Sequence, residues 1–258
     1  MFIGSLYEAL PGVACLLLAI TAFTTPAQAQ GSKNVVLVHG AFADGSGWKA
    51  IYQILVAKGY RVTIVQNPAT SLEDDVNATT AALDQQDGPA ILVGHSWGGV
   101  VITEAGNHPK VAALVYVAAF QPDQGESALQ LFQSAPPAPE NGVLPPDEKG
   151  MVYYDQAKFH AGFCADLGKE EAQFMAASQV PLFAKGFTTP VNDPAWKNKP
   201  VYGVIATQDK SINPDILYRT YKRSNTIVTE VAGSHAVYIS QPKRVAEVII
   251  QAAKQPVK

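Results

Sequence analysis

Ala90-Ile91-Leu92-Val93-Gly94-His95-Ser96-Trp97-Gly98-Gly99-Val100-Val101 decides the fold. The apolar residues Ala90 to Val93 run as a strand into Gly-His-Ser-Trp-Gly, and helical apolar spacing follows. Strand, sharp turn and helix in that order make the context of a nucleophile elbow, where the serine takes a strained backbone conformation and lifts its hydroxyl above a sheet. Gly94 and Gly98 are required because a Cβ at either position would clash as strand and helix cross. The helix's first turn leaves unpaired N–H groups pointing the same way as Ser96, and its dipole adds partial positive charge there. An oxyanion could form beside Ser96.

Outward from the elbow, apolar strands alternate with helices. Residues 34–38 form a β-branched strand that ends in His39-Gly40-Ala41-Phe42-Ala43-Asp44-Gly45-Ser46-Gly47-Trp48, and a helix bearing Ile51, Ile54 and Leu55 follows. Residues 60–65 read as a second buried strand and 71–83 as a helix capped by Ser71 with Asp74 in its first turn. After a helix over 97–107, residues 111–118 form a continuous apolar strand, and 201–206 and 226–231 form two more. Asn213-Pro214 caps the helix between the last two strands, and Gln241-Pro242 opens a final helix that turns Val245, Val248 and Ile249 to the core. Unbroken apolar strands alternating with helices predict a parallel sheet covered on both faces, the α/β class.

Between about 121 and 199 the pattern changes. Pro136-Pro137-Ala138-Pro139, Pro145-Pro146 and the aromatics Tyr153, Tyr154, Phe159, Phe163, Phe174, Phe183 and Phe187 mark an insertion, with helical spacing over 157–177. A run this long between two sheet strands predicts a lid, most of whose aromatics serve as its own core.

A serine hydroxyl needs a base, and the base needs an orienting carboxylate. His235 and Asp209 follow the last two strands at their carboxyl ends, the edge where Ser96 sits and where open α/β sheets place their sites. The chain order Ser96, Asp209, His235 is that of the α/β-hydrolase elbow enzymes. Asp123, after the preceding strand, is a rival for the acid, whereas no histidine downstream of Asp209 competes with His235. His39 and His95 are expected to shape their loops and His160 to be structural. Histidine pairs with metal-ligand spacing are absent, so no metal and no cofactor are expected.

The chain from Asn34 onward resembles the α/β-hydrolase superfamily. His39-Gly40-Ala41, Gly94-His95-Ser96-Trp97-Gly98-Gly99, Ala118-Ala119-Phe120-Gln121-Pro122-Asp123 and Gly233-Ser234-His235 are similar to its plant methyl-esterase and hydroxynitrile-lyase branch. The resemblance implies a mainly parallel six-stranded sheet with helices on both faces and an inserted helical lid. It also implies an oxyanion hole formed by the N–H groups of Ala41 and Trp97. The lyases of that branch carry Thr where Gly40 stands and Lys where Ala236 stands, so their cyanohydrin chemistry is not expected here, and Ser96 excludes the members that use an Asp nucleophile. The expectation is a serine hydrolase of small, largely uncharged carboxylic esters. The alternatives are a cofactor-free perhydrolase, dioxygenase or lyase on the same fold, or a ligand-binding receptor.

Composition agrees with an ordinary globular chain: 258 residues, 47% hydrophobic and 16% charged, with a formal net charge of −3 that leaves nothing basic enough for nucleic acid. Residues 13–23 are an apolar run too short to span a bilayer comfortably, followed by Pro26-Ala27-Gln28-Ala29-Gln30. A signal peptide over residues 1–29, cleaved after Ala29, is expected, leaving residues 30–258 as a secreted or periplasmic domain without stable membrane association. Glu8 stands where a basic residue is usual, and the alternative is an uncleaved membrane anchor. Cys15 would leave with the signal, and Cys164 alone cannot form an internal disulfide.

Overall fold

A strand covered on both sides needs apolar side chains at every position, and Asn34–Val38 (β1) shows the consequence. Val36 and Val38 pack into one core, and Val35 and Leu37 into the other. The computed structural model describes residues 1–4 and 31–255. The expected signal segment therefore falls almost wholly outside the described residues.

From the amino end the order is β1, Lys49–Ala57 (α1), Arg61–Val65 (β2), Leu72–Asp84 (α2), Ala90–His95 (β3), Gly98–Ala105 (α3) and Val111–Val117 (β4). The insertion holds Ala128–Gln133 (α4), Met151–Val152 (β5), Gln156–Phe163 (α5), Lys169–Ala177 (α6), Leu182–Phe183 (β6) and Ala184–Thr188 (α7). The chain then returns through Val201–Ala206 (β7), Pro214–Arg223 (α8), Ile227–Val231 (β8), Val237–Ser240 (α9) and Pro242–Ala253 (α10).

The main sheet has six strands in the order β2-β1-β3-β4-β7-β8, every neighbouring pair parallel. Alternate residues of each inner strand feed opposite cores. Leu92, Leu114 and Ile205 meet α2, α3 and α8, while Ile91, Val115 and Val204 meet Ile51 and Leu55 of α1 and Val245 and Ile249 of α10. Each such buried aliphatic side chain contributes roughly 1.5–3 kcal/mol. Strand β8 closes one edge and leaves Ile227 and Val228 half exposed, so the covering is complete only in the middle.

The helix start signals act locally. The Ser71 hydroxyl accepts from the Asp74 N–H at 3.0 Å to cap α2, Asn213 accepts from the Asp215 N–H at 3.0 Å ahead of Pro214, and Ser127 and Gln130 form a reciprocal capping box on α4. One expectation is modified: the helical spacing over 157–177 is two helices, because residues 164–168 break it. Cys164 ends α5 and Gly168 opens α6, and the break delivers Asp166 to the loop that carries His235, where it accepts from the Ser234 N–H at 2.9 Å and from the Ser234 hydroxyl.

Candidate active site

The sharp turn after β3 puts Ser96 at φ 54°, a left-handed conformation that costs a non-glycine residue on the order of 1 kcal/mol or more. The surrounding glycines explain how the turn fits. A Cβ on Gly94 would lie 2.4 Å from the Gly98 carbonyl oxygen, and one on Gly98 would lie 2.6 Å from that of Val38. Ser96 is held between the ends of β3 and β1, at the carboxyl edge of the sheet.

His235 comes from the loop after β8 and Asp209 from the loop after β7. The His235 Nε2 lies 2.8 Å from the Ser96 Oγ, and its Nδ1 lies 2.7 Å from an Asp209 carboxylate oxygen. With Nδ1–H donating to the carboxylate, Nε2 is left as the acceptor of the serine O–H. The second carboxylate oxygen of Asp209 accepts from the N–H groups of Ser211 at 2.8 Å and Ile212 at 2.9 Å. Asp209 is thus buried yet fully hydrogen-bonded, which fixes both its position and its role as an acceptor. Asp123 lies elsewhere: it pairs with Lys197 at 2.6 Å and accepts from the Gln124 N–H at 2.7 Å.

Ala41 and Trp97 line the same small cavity as Ser96 and His235. The loop after β1 runs so close to the elbow that a Cβ on Gly40 would sit 2.7 Å from the Ser96 Cβ. That contact brings the backbone of Ala41 beside the serine. Trp97 is the N-cap of α3, so its backbone N–H lies at the helix's unpaired amino end.

Two neighbouring histidines have structural contacts. His39 bonds the Gly40 carbonyl through Nδ1 at 2.8 Å and accepts the Asn67 N–H on Nε2 at 2.9 Å, which shapes the loop after β1. His95 is fully buried, its ring 4.8 Å from that of His235, and its Nε2 donates to the His235 carbonyl at 2.9 Å. Burial, followed by the proximity of His235, holds the His95 pKa well below the usual imidazole value, and burial does the same to His39 to a smaller degree. Both are neutral supports. His160 bonds the Leu167 carbonyl at 2.9 Å within the α5–α6 break.

Two carboxylates that sequence reasoning missed hold this arrangement. Asp75, fully buried in α2, accepts from the Trp97 indole N–H at 2.7 Å and from the Ala69 N–H at 2.8 Å. Burial pushes its pKa up, partly offset by those two donors. Asp166 clamps Ser234, the residue before His235. Burial would raise its pKa, but the Ser234 hydrogen bonds outweigh that and hold it below the usual carboxylate range.

The cavity over Ser96 is apolar and small. Phe42, Phe120, Phe132, Tyr154, Phe163 and Phe187 contribute to walls enclosing only about 20 Å³. Among the described residues no cluster of His, Cys, Asp or Glu is arranged to hold a metal ion.

Comparison with known proteins places the chain among hydrolases. The model of the alpha/beta hydrolase family matches residues 35–248. The chain is 28% identical to the pyrethroid hydrolase of Sphingobium wenxiniae over 255 residues, covering 86% of this chain and 88% of that one. It is also 28% identical to salicylic acid-binding protein 2 of Nicotiana tabacum over 259 residues, covering 86% and 97%. The crystal structure of a pyrethroid hydrolase from Sphingobium faniae shares the fold with a TM-score of 0.75 at 24% identity, over 87% of this chain and 98% of that one.

Proposed function

The chain belongs to the alpha/beta hydrolase family, and from that premise we propose that it cleaves small, largely uncharged carboxylic esters through an acyl-enzyme on Ser96. The observation that carries this reading is the continuous hydrogen-bonded line Ser96 Oγ, His235 Nε2, His235 Nδ1, Asp209. As the Ser96 oxygen attacks the ester carbonyl carbon, its proton passes to Nε2, and Asp209 stabilises the imidazolium that results. The carbonyl oxygen becomes an oxyanion and accepts from the N–H groups of Ala41 and Trp97. Collapse of this intermediate expels the alcohol, which takes the proton from His235. A water molecule, deprotonated by the same nitrogen, then attacks the acyl-enzyme and releases the acid and the free serine.

The aromatic walls favour uncharged acyl and alcohol groups, because a charge placed against them would lose its water without gaining a partner. A Cβ on Gly40 would already lie 2.7 Å from the Ser96 Cβ, against the Thr that cyanohydrin chemistry uses there, and Ala236 supplies no amine for its Lys. A fluorophosphonate probe should label Ser96, and Ser96→Ala should fold normally yet lose hydrolysis of p-nitrophenyl acetate by several orders of magnitude. Near-normal turnover by that variant would overturn the assignment.

The reading extends to export. The apolar run at 13–23 and the small residues Ala27 and Ala29 support cleavage after Ala29 and a secreted or periplasmic mature protein. N-terminal sequencing of the exported chain should then begin at Gln30. A chain that keeps Met1 and sediments with membranes would support an anchor instead.

A further inference from the structure

The cavity over Ser96 holds about 20 Å³, space for little more than one water molecule, so no ester can reach the serine until a wall moves. A second cavity of about 270 Å³ lies on the outer side of one wall. Phe42 is the residue common to the linings of both.

The outer cavity is a groove between the insertion and the start of α1. Glu171, Phe174, Met175 and Ser178 face it from α6, at the 0, 3, 4, 7 spacing of a single helix face. Lys49, Ala50 and Gln53 face it from α1. Phe174 is 69% exposed there, a large apolar surface left uncovered. Tyr238 also lines the groove, and its buried hydroxyl has no hydrogen-bond partner among the described residues. That oxygen is packed against Gly47, where an added Cβ would lie 2.6 Å from it, and is closed off from the groove itself.

Phe42 is buried in the core and its backbone is held in place, so opening the wall requires its ring to swing out of this packing. It has φ 62°, and its N–H donates to the Val180 carbonyl at 2.8 Å, which ties the loop after β1 to the insertion. The ring meets Tyr154 edge-on at 5.6 Å. A change of χ1 would break this aromatic contact and the ring's apolar packing and open the partition, with the backbone staying where it is. The joined space then approaches the roughly 300 Å³ at which small-molecule sites begin.

We propose that Phe42 is the gate between the catalytic cavity and a second substrate subsite, and that this groove takes the longer, apolar arm of an ester whose carbonyl lies at Ser96. The inference rests on the hydrolase reading above. The small inner cavity restricts the other arm to a short group, directed towards Phe120, Phe132 and Phe187 once the wall has moved. The preferred substrate class is therefore an asymmetric neutral ester with one short arm and one aryl-alkyl arm.

The test uses two series of esters followed by acid release in a pH-stat: methyl esters of arylalkanoic acids of increasing length, and acetates of arylalkanols of increasing length. The readout is the ratio of kcat/KM for the longest member to that for methyl acetate. In one series Phe42→Ala should raise this ratio about tenfold, and Ser178→Trp, which fills the groove from the exposed cap of α6, should lower it about tenfold, in the range that a changed pocket contact commonly gives. If short esters are hydrolysed but neither variant moves the ratio in either series, the gate and subsite are overturned while the hydrolase reading stands. They are overturned in the same way if Phe187→Ala raises the ratio and Phe42→Ala does not, since entry would then be through the opposite wall. Absence of both ester turnover and Ser96 labelling would instead overturn the hydrolase reading, and this inference with it.

Discussion

At the scale of single residues, the two aspartates near the carboxyl edge differ in what they can do. Asp209 is buried, touches the His235 Nδ1 and receives two backbone N–H groups, so its charge acts where solvent does not screen it. Asp123 makes an ion pair with a half-exposed Lys197, a kind of contact worth about 0–1 kcal/mol. Asp209→Asn should therefore retain the fold and lose on the order of 10⁴ in kcat, because the amide can present a donor to Nδ1 and favour the wrong tautomer. Asp123→Asn should keep most of its activity. Steady-state kinetics on both variants checks this, and reversed outcomes would make Asp123 the acid. Ser96, Asp209 and His235 were legible because each ends a strand and their chain order is informative. Asp75 was not, since its partner Trp97 lies 22 positions away and no spacing rule links an indole N–H to a helix carboxylate.

Between elements, the insertion and the catalytic loops are joined by contacts that sequence pattern does not encode. The six sheet strands were readable because burial on both faces demands unbroken apolar runs, and Ser71, Asn213 and Gln241 marked helix starts by local chemistry. The pairing of β5 with β6 was not readable, as two residues per strand carry no periodicity. Nor was the α5–α6 break, whose cause is tertiary: Asp166 leaves the helical path to bind the Ser234 N–H and hydroxyl, and the Ala236 N–H donates to the Phe163 carbonyl at 3.1 Å. These bonds grip His235 from both sides. Asp166→Ala should leave the Ser234 N–H without its charged acceptor at a site partly open to water, lowering stability by about 1 kcal/mol. It should also reduce kcat more than it changes KM, because the loop that aims the imidazole is loosened while the aromatic walls remain. Urea denaturation read beside steady-state kinetics tests both effects, and an unchanged kcat would show that His235 is aimed without the clamp.

For the whole molecule, the buried titratable groups set how stability depends on pH. His39 and His95 are neutral in the fold because burial lowers their pKa, whereas in the unfolded chain they titrate near 6.5. Below that value the unfolded state binds protons that the native state does not, so unfolding becomes more favourable as pH falls. Each histidine adds a slope approaching about 1.4 kcal/mol per pH unit until its folded pKa is reached. Asp75 acts with the opposite sign. Its pKa is raised in the fold, so its stabilising contribution is present at low pH and is lost as pH rises through the folded value. Asp123, Glu126 and Asp166 are lowered in the fold, and their contributions are present at neutral pH and lost as pH falls through the carboxylate range. These carboxylates titrate below the onset of histidine protonation, so the first loss on acidification belongs to His39 and His95. The melting temperature should be level between pH 8 and 7 and fall below about pH 6.5. In His95→Gln the side-chain amide can still donate to the His235 carbonyl but binds no proton, so the fall should be shallower by about 1.4 kcal/mol per pH unit. Denaturant midpoints for both proteins between pH 7 and 5 check this, and a wild-type midpoint that stays level over that interval would show that the two histidines do not control acid stability.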